Sequence, residues 1–216
     1  MGLYDGFTPE RALACIRARP ATTHVNDWMK TDPPAGEIEA AITYARESGL
    51  RAAVPFLPPY LRDAPYFLAN AACRALGWLE AVELLPDLLD LLRPAAAQER
   101  GLFPTDYLNY DDTPQDGALE AFEHLAGTEA GRALIPLVAH GDEAVRAAAR
   151  GAVPELLRLL EDVSLTSASW RRQALRALEV IGAADTIDAV TRCLEDPDRH
   201  VREAAAAALR ALPPRA

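Results

Sequence analysis

The chain has 216 residues, half of them apolar and a quarter charged, with a net charge of −10. That is enough apolar material for one elongated core in a single domain over 1–216. It contains no run of 18 apolar residues to span a membrane, and its acidity opposes tight binding to phosphate backbones. The opening stretch Met1-Gly2-Leu3-Tyr4-Asp5-Gly6 has neither the basic nor the apolar part of a secretory leader, so a cytoplasmic location is expected.

Taken in chain order, Thr8-Pro9-Glu10-Arg11 opens the first helix through an N-cap and a first-turn proline, with Leu13 and Ile16 on its apolar side and an end near Arg19. Residues 1–36 do not share the pattern that follows, and are expected to form an N-terminal helical cap over the end of an array. Within them, His24-Val25-Asn26-Asp27-Trp28-Met29-Lys30 carries a Trp expected to tuck into the first groove.

From residue 37 to 212 two motifs alternate. One has a central proline: Ala53-Val54-Pro55-Phe56-Leu57, Leu84-Leu85-Pro86-Asp87-Leu88, Leu134-Ile135-Pro136-Leu137-Val138 and Ala152-Val153-Pro154-Glu155-Leu156, with Thr186-Ile187-Asp188-Ala189-Val190 as a version lacking it. A proline in a first turn gives up only an N–H that has no helical partner, so each is expected to open a helix. The other motif is Trp170-Arg171-x-x-Ala174-Leu175-x-x-Leu178 and Val201-Arg202-x-x-Ala205-Ala206-x-x-Leu209, with a third copy at Val145-Arg146 and a degenerate one from Leu68. Arg62-Asp63-Ala64-Pro65, His140-Gly141-Asp142-Glu143 and Glu195-Asp196-Pro197-Asp198 supply turns and N-caps. Leu76-Gly77, Leu125-Ala126-Gly127 and Ile181-Gly182 are expected to end helices on glycine. Each unit reads as helix, tight turn, helix.

These motifs resemble the short HEAT-like repeats of the phycobilisome-lyase type, in which a proline-bearing helix is followed by an Asp-rich turn and then Val-Arg, Ala-Ala and Leu-Gly. The resemblance implies an all-α, right-handed α-solenoid of about five helical hairpins. In such an array, Val145, Leu175, Leu178, Val201 and Leu209 are expected along one buried seam. Arg171 and Arg202 are expected near the turns, in charge ladders with the turn aspartates. The resemblance specifies an architecture and leaves the activity open.

One break interrupts the rhythm, between Leu92 and Gly117, where 93–116 reads as an inserted loop with three prolines and the aromatics Phe103, Tyr107 and Tyr110 beside Asp111 and Asp112. Loops of that length inside a compact domain are usually functional or disordered, and aromatics argue against disorder. Twelve carboxylates fall within 78–131 against Arg93 and Arg100 alone. Such a field attracts a cationic partner. Phe103, Tyr107, Tyr110, Asp111, Asp112, Asp116, Glu120 and His124 are therefore the candidate partner-binding residues, and the partner expected is a basic protein.

Catalytic patterns are sparse. His24, His124, His140 and His200 lie on separate elements, and Glu120 with His124 makes an i, i+4 pair short of the three or four ligands a zinc site needs. No Gly-rich phosphate loop, G-x-S-x-G or C-x-x-C occurs. Deoxyhypusine hydroxylase is a HEAT-like enzyme that holds iron through His-Glu pairs, and this chain has none. The HEAT-like alkylpurine DNA glycosylases cradle DNA on a basic surface, and the only comparable cluster is Trp170 with Arg171, Arg172 and Arg176. Cys15, Cys73 and Cys193 are odd in number and read as buried thiols. The expectation is a non-catalytic binding scaffold of the adaptor, inhibitor or immunity type, without cofactor or metal. A bacterial source suits the preference for Arg over Lys. A lyase-like enzyme and a DNA glycosylase are the alternatives.

Overall fold

The computed structural model describes residues 6–18, 32–92, 114–128, 137–139, 143–161, 163 and 166–213, and these form helices with no strand among them. Helix α1 (Pro9–Arg17) begins where Thr8 Oγ1 accepts the Arg11 N–H at 3.2 Å, with Pro9 in the first turn. Helix α2 is Ala35–Glu47. A 3₁₀ segment, Arg51–Phe56, leads into the short α3 (Pro58–Asp63), and the break at Ala64-Pro65 precedes α4 (Tyr66–Trp78). Pro86 stands in the first turn of α5 (Leu85–Leu91).

Helix α6 is Pro114–Gly127 and α7 is Glu143–Glu161. Ser167 caps α8 (Ala168–Ile181), which ends on Gly182 in the left-handed region at φ 71°. Helix α9 (Ile187–Arg192) continues through a 3₁₀ turn to Asp196, and Asp198 caps α10 (Arg199–Ala211) through the N–H groups of His200 and Val201.

These elements stack in two layers. In one, α1 packs on α2, α2 on α4, α4 on α6, α6 on α8 and α8 on α10; in the other, α5 packs on α7 and α7 on α9. Four helix pairs, α3 with α4, α5 with α6, α7 with α8 and α9 with α10, are complete among the described residues. One apolar cluster runs from Ala12 to Leu212, with Ile16, Ile38, Leu57, Leu68, Phe122, Leu156, Leu175 and Val201 among its members. The three cysteines are free and buried within it. Burial of the aliphatic and aromatic side chains, each contributing about 1.5–3 kcal/mol, is what holds neighbouring pairs together.

The structure differs from the motif reading in five places, the first being Pro55, which lies inside the 3₁₀ segment Arg51–Phe56 and opens no α-helix. Val145 and Pro154 lie on one continuous helix, α7, and not on two, so Val145-Arg146 is no third copy of the Val201-Arg202 motif. Its layer packs against α5 and α9, whereas Val201 belongs to the layer of α6 and α8. An apolar stripe of helical period is the same in either layer, which is why the sequence misassigns it. Pro154 is accommodated in the helix interior, at the expense of the hydrogen bond its N–H would have donated to the Arg150 carbonyl.

Gly77 is not a left-handed cap: α4 runs on to Trp78, and the residue with positive φ is Glu80 at 52°. Leu209 is only partly buried, in the last turn of α10, although Val145, Leu175, Leu178 and Val201 are buried. Finally, Pro114, Gln115 and Asp116 form the first turn of α6 and do not belong to a loop.

Candidate functional site

The centre of the α4 layer is built on small residues. A Cβ on Gly77 would stand 2.5 Å from the Ala121 Cα, and one on Gly117 would stand 2.8 Å from the Asn70 carbonyl oxygen and 2.9 Å from the Cys73 Cβ. Asn70 and Cys73 thus lie beside Gly117, and Gly77 beside Ala121, so α4 and α6 run parallel and touch backbone to backbone. Burial at this crossing pushes the Cys73 thiol far above its ordinary pKa, leaving it protonated and inert.

That close register brings solvent-facing side chains of the two helices together in pairs. Arg74 Nε meets Glu120 Oε2 at 2.8 Å, and one turn further on Trp78 stacks on His124 with ring centroids 4.3 Å apart and planes 16° from parallel. On the other flank of α6, Glu123 Oε1 accepts from Arg172 Nε of α8 at 2.6 Å, and Arg176 pairs with Glu179 along α8. The result is a polar face across three stacked helices. Trp78 stands out on it at 51% exposed, the most exposed large apolar residue among those described.

The candidate residues read from the sequence divide three ways. Phe103, Tyr107, Tyr110, Asp111 and Asp112 lie outside the described residues, as do Trp28 and its segment. Glu120 and His124 lie on the α6 face, paired with Arg74 and Trp78. Asp116 is buried, at 6% exposure. Trp78 was missed by sequence reasoning, because its pairing with His124 depends on the register of two helices separated by the whole insertion. Among the described residues no group of three His, Cys, Asp or Glu side chains is placed to hold a metal ion.

The acidic stretch is partly balanced by its neighbours. Residues 78–92 and 114–128 hold Glu80, Glu83, Asp87, Asp90, Asp116, Glu120 and Glu123, and no Lys or Arg. Four of these carboxylates are met by guanidinium groups from elsewhere: Glu83 by Arg51, Asp87 by Arg62, Glu120 by Arg74 and Glu123 by Arg172. The Glu80 carboxylate has no such pair among the described residues. Three open clefts, of 290, 430 and 560 Å³, lie on the other layer, between α7 and α9 and between α5 and α7.

The arginines beside Trp170 are engaged. Arg172 and Arg176 are paired as described, and Arg171 is buried against Asp196, donating from Nε at 2.8 Å and from Nη2 at 2.9 Å. Arg171 also donates to the Thr166 carbonyl, five residues before it, just as Arg202 donates to the Pro197 carbonyl five residues before it at 2.9 Å. The equivalence expected of a repeat is therefore present in the hydrogen bonds. Arg171 alone reaches on to the next pair, through Asp196.

A linear stack of helix pairs with one continuous core and an arginine-to-turn contact repeated at equivalent positions defines a helical-repeat array. Residues 153–215 match the family model for HEAT repeats, and the fold of the described residues is an all-α, HEAT-like array. No curated protein matches it. No helix among the described residues is long and apolar enough to cross a membrane.

Proposed function

We propose that this chain is a non-catalytic protein-binding scaffold, with a working surface on the α4–α6–α8 face and on the insertion that precedes α6, and that its partner is basic. Repeat arrays generally offer extended surfaces to other proteins. The observation that supports a basic partner most directly is the charge of the central elements: seven carboxylates and no Lys or Arg in 78–92 and 114–128. The insertion adds Glu99, Asp106, Asp111 and Asp112, with Phe103, Tyr107 and Tyr110 as aromatic anchors. Glu120 and His124 form the part of the surface carried by α6, while buried Asp116 stays out of it.

The test is a comparison of wild type with a variant in which Tyr107, Tyr110, Asp111 and Asp112 become Ala or Ser. Protein retained by the tagged wild type in its native host is identified, purified and titrated against both. The variant is expected to keep its thermal stability to within about 0.5 kcal/mol per substitution. It is expected to lose the partner, with loss of the acidic pair slowing association and loss of the tyrosines speeding dissociation. Unchanged affinity, or a partner that is itself acidic, overturns the reading.

A further inference from the structure

We infer that Trp78 is the docking point for a cationic side chain, an arginine presented by the basic partner, with the indole held between that guanidinium and the His124 ring. The inference rests on the reading of a basic protein partner, and adds where and by what chemistry it is gripped.

Three observations converge on this residue. First, the ring is both exposed and fixed: it is 51% open to solvent, while His124 lies parallel on it at 4.3 Å and the Arg74–Glu120 pair stands one turn below. A side chain already ordered gives up little further entropy on binding, which is the property of an interface anchor. Second, the surroundings are negative. Trp78 is the last residue of α4, and α6, running parallel, ends at Gly127; Arg51 already meets the carbonyls that follow α4, at Leu79 and Glu80, so the helix end that adds negative potential here is that of α6. Glu80, two residues on, adds a carboxylate without an ion pair among the described residues.

Third, the protein itself places guanidinium groups in both of the settings invoked. Arg51 donates to the Leu79 and Glu80 carbonyls at the end of α4, and Arg17 lies 4.4 Å over the Phe56 ring. An arginine over the indole face would combine attraction to the ring quadrupole with attraction to the end of α6 and to the Glu80 carboxylate. A phosphate would meet the reverse of both.

The experiment uses hexa-arginine as the probe and hexa-glutamate as its control, each titrated calorimetrically into the whole chain at low and high salt. Trp78 accessibility is read in parallel by oxidation with N-bromosuccinimide and mass spectrometry, which resolves it from Trp28 and Trp170. Hexa-arginine is expected to bind, more weakly at high salt, and to protect Trp78, while hexa-glutamate does neither. Trp78→Phe is expected to stay within a few-fold of wild type, Trp78→Leu to weaken binding about tenfold, and Glu80→Gln to weaken it by a smaller factor.

If hexa-arginine binds but Trp78 stays unprotected, or Trp78→Leu binds like wild type, the docking point is wrong while the basic-partner reading stands. If hexa-arginine does not bind at all, both fall. Should Trp78→Leu lose helix content, protection of Trp78 in the wild type decides the matter alone. If wild-type chain instead protects Trp78 by self-association, seen as a concentration-dependent mass in solution, the occupant is a second copy and the inference is overturned.

Discussion

Burial opposes ionisation of the Asp196 carboxylate, yet its pKa is held below the ordinary value because Arg171 donates twice to it and the Asp198 N–H a third time, at 2.9 Å. Folding therefore favours the deprotonated form. Its contribution to stability is full above the unfolded-state pKa of about 3.9 and is lost as pH falls through the lower folded value. Urea unfolding of wild type and Asp196→Asn is expected to converge as pH drops through that range. At neutral pH, Asp196→Ala is expected to cost about 3–5 kcal/mol, since it leaves the Arg171 charge buried and unpaired. Leu178→Ala, a truncation of a fully buried side chain, is expected to cost about 2–5 kcal/mol by the same measurement. The position of Arg171 near a turn was legible in the sequence, because Arg202 repeats it with the same neighbours. The meeting of Trp78 with His124 was not, because no local pattern reports which turns of two distant helices lie side by side.

Between elements, the parallel contact of α4 and α6 depends on the absence of two methyl groups. Gly77→Ala and Gly117→Ala each force a Cβ into neighbouring backbone, and are expected to cost about 1–3 kcal/mol despite the gain in helix propensity. Gly36→Ala is the control. Its Cβ would meet nothing within 4 Å on exposed α2, so the substitution is expected to stabilise by about 0.4–1 kcal/mol. Thermal melts of the three variants check the contrast. Helix existence was legible for α1 and from α4 onward, and the Thr8 and Asp198 caps from their side chains, whereas α2 carried no motif and Pro55 opened no helix. Assignment to layers was not, as α7 demonstrates: its apolar stripe passes through Pro154 unbroken, and only packing against α5 and α9 tells which side it occupies. The glycines misled for a related reason. Gly182 takes the left-handed conformation, whereas Gly77 serves close approach, and a glycine in sequence does not distinguish the two.

Among the described residues most arginines are paired with carboxylates, which bears on what the array can hold. With Arg171, Arg172 and Arg176 engaged and the centre acidic, duplex DNA is expected to bind no tighter than the weak non-specific range of roughly 10⁻⁴ to 10⁻⁶ M at physiological salt. Nanomolar affinity in a gel-shift assay, or excision of an alkylated base, overturns the scaffold reading. The backbone contact between α4 and α6 has a further consequence, in the elasticity of the array. A stack of helix pairs stretches by small changes of angle at each joint, taken up by side chains that slide on one another. Where backbone already rests on backbone, at Gly77 and Gly117, there is little side chain left to slide. That joint is expected to yield less than one cushioned by side chains, so a partner that bends the molecule is expected to take the strain mainly from other joints.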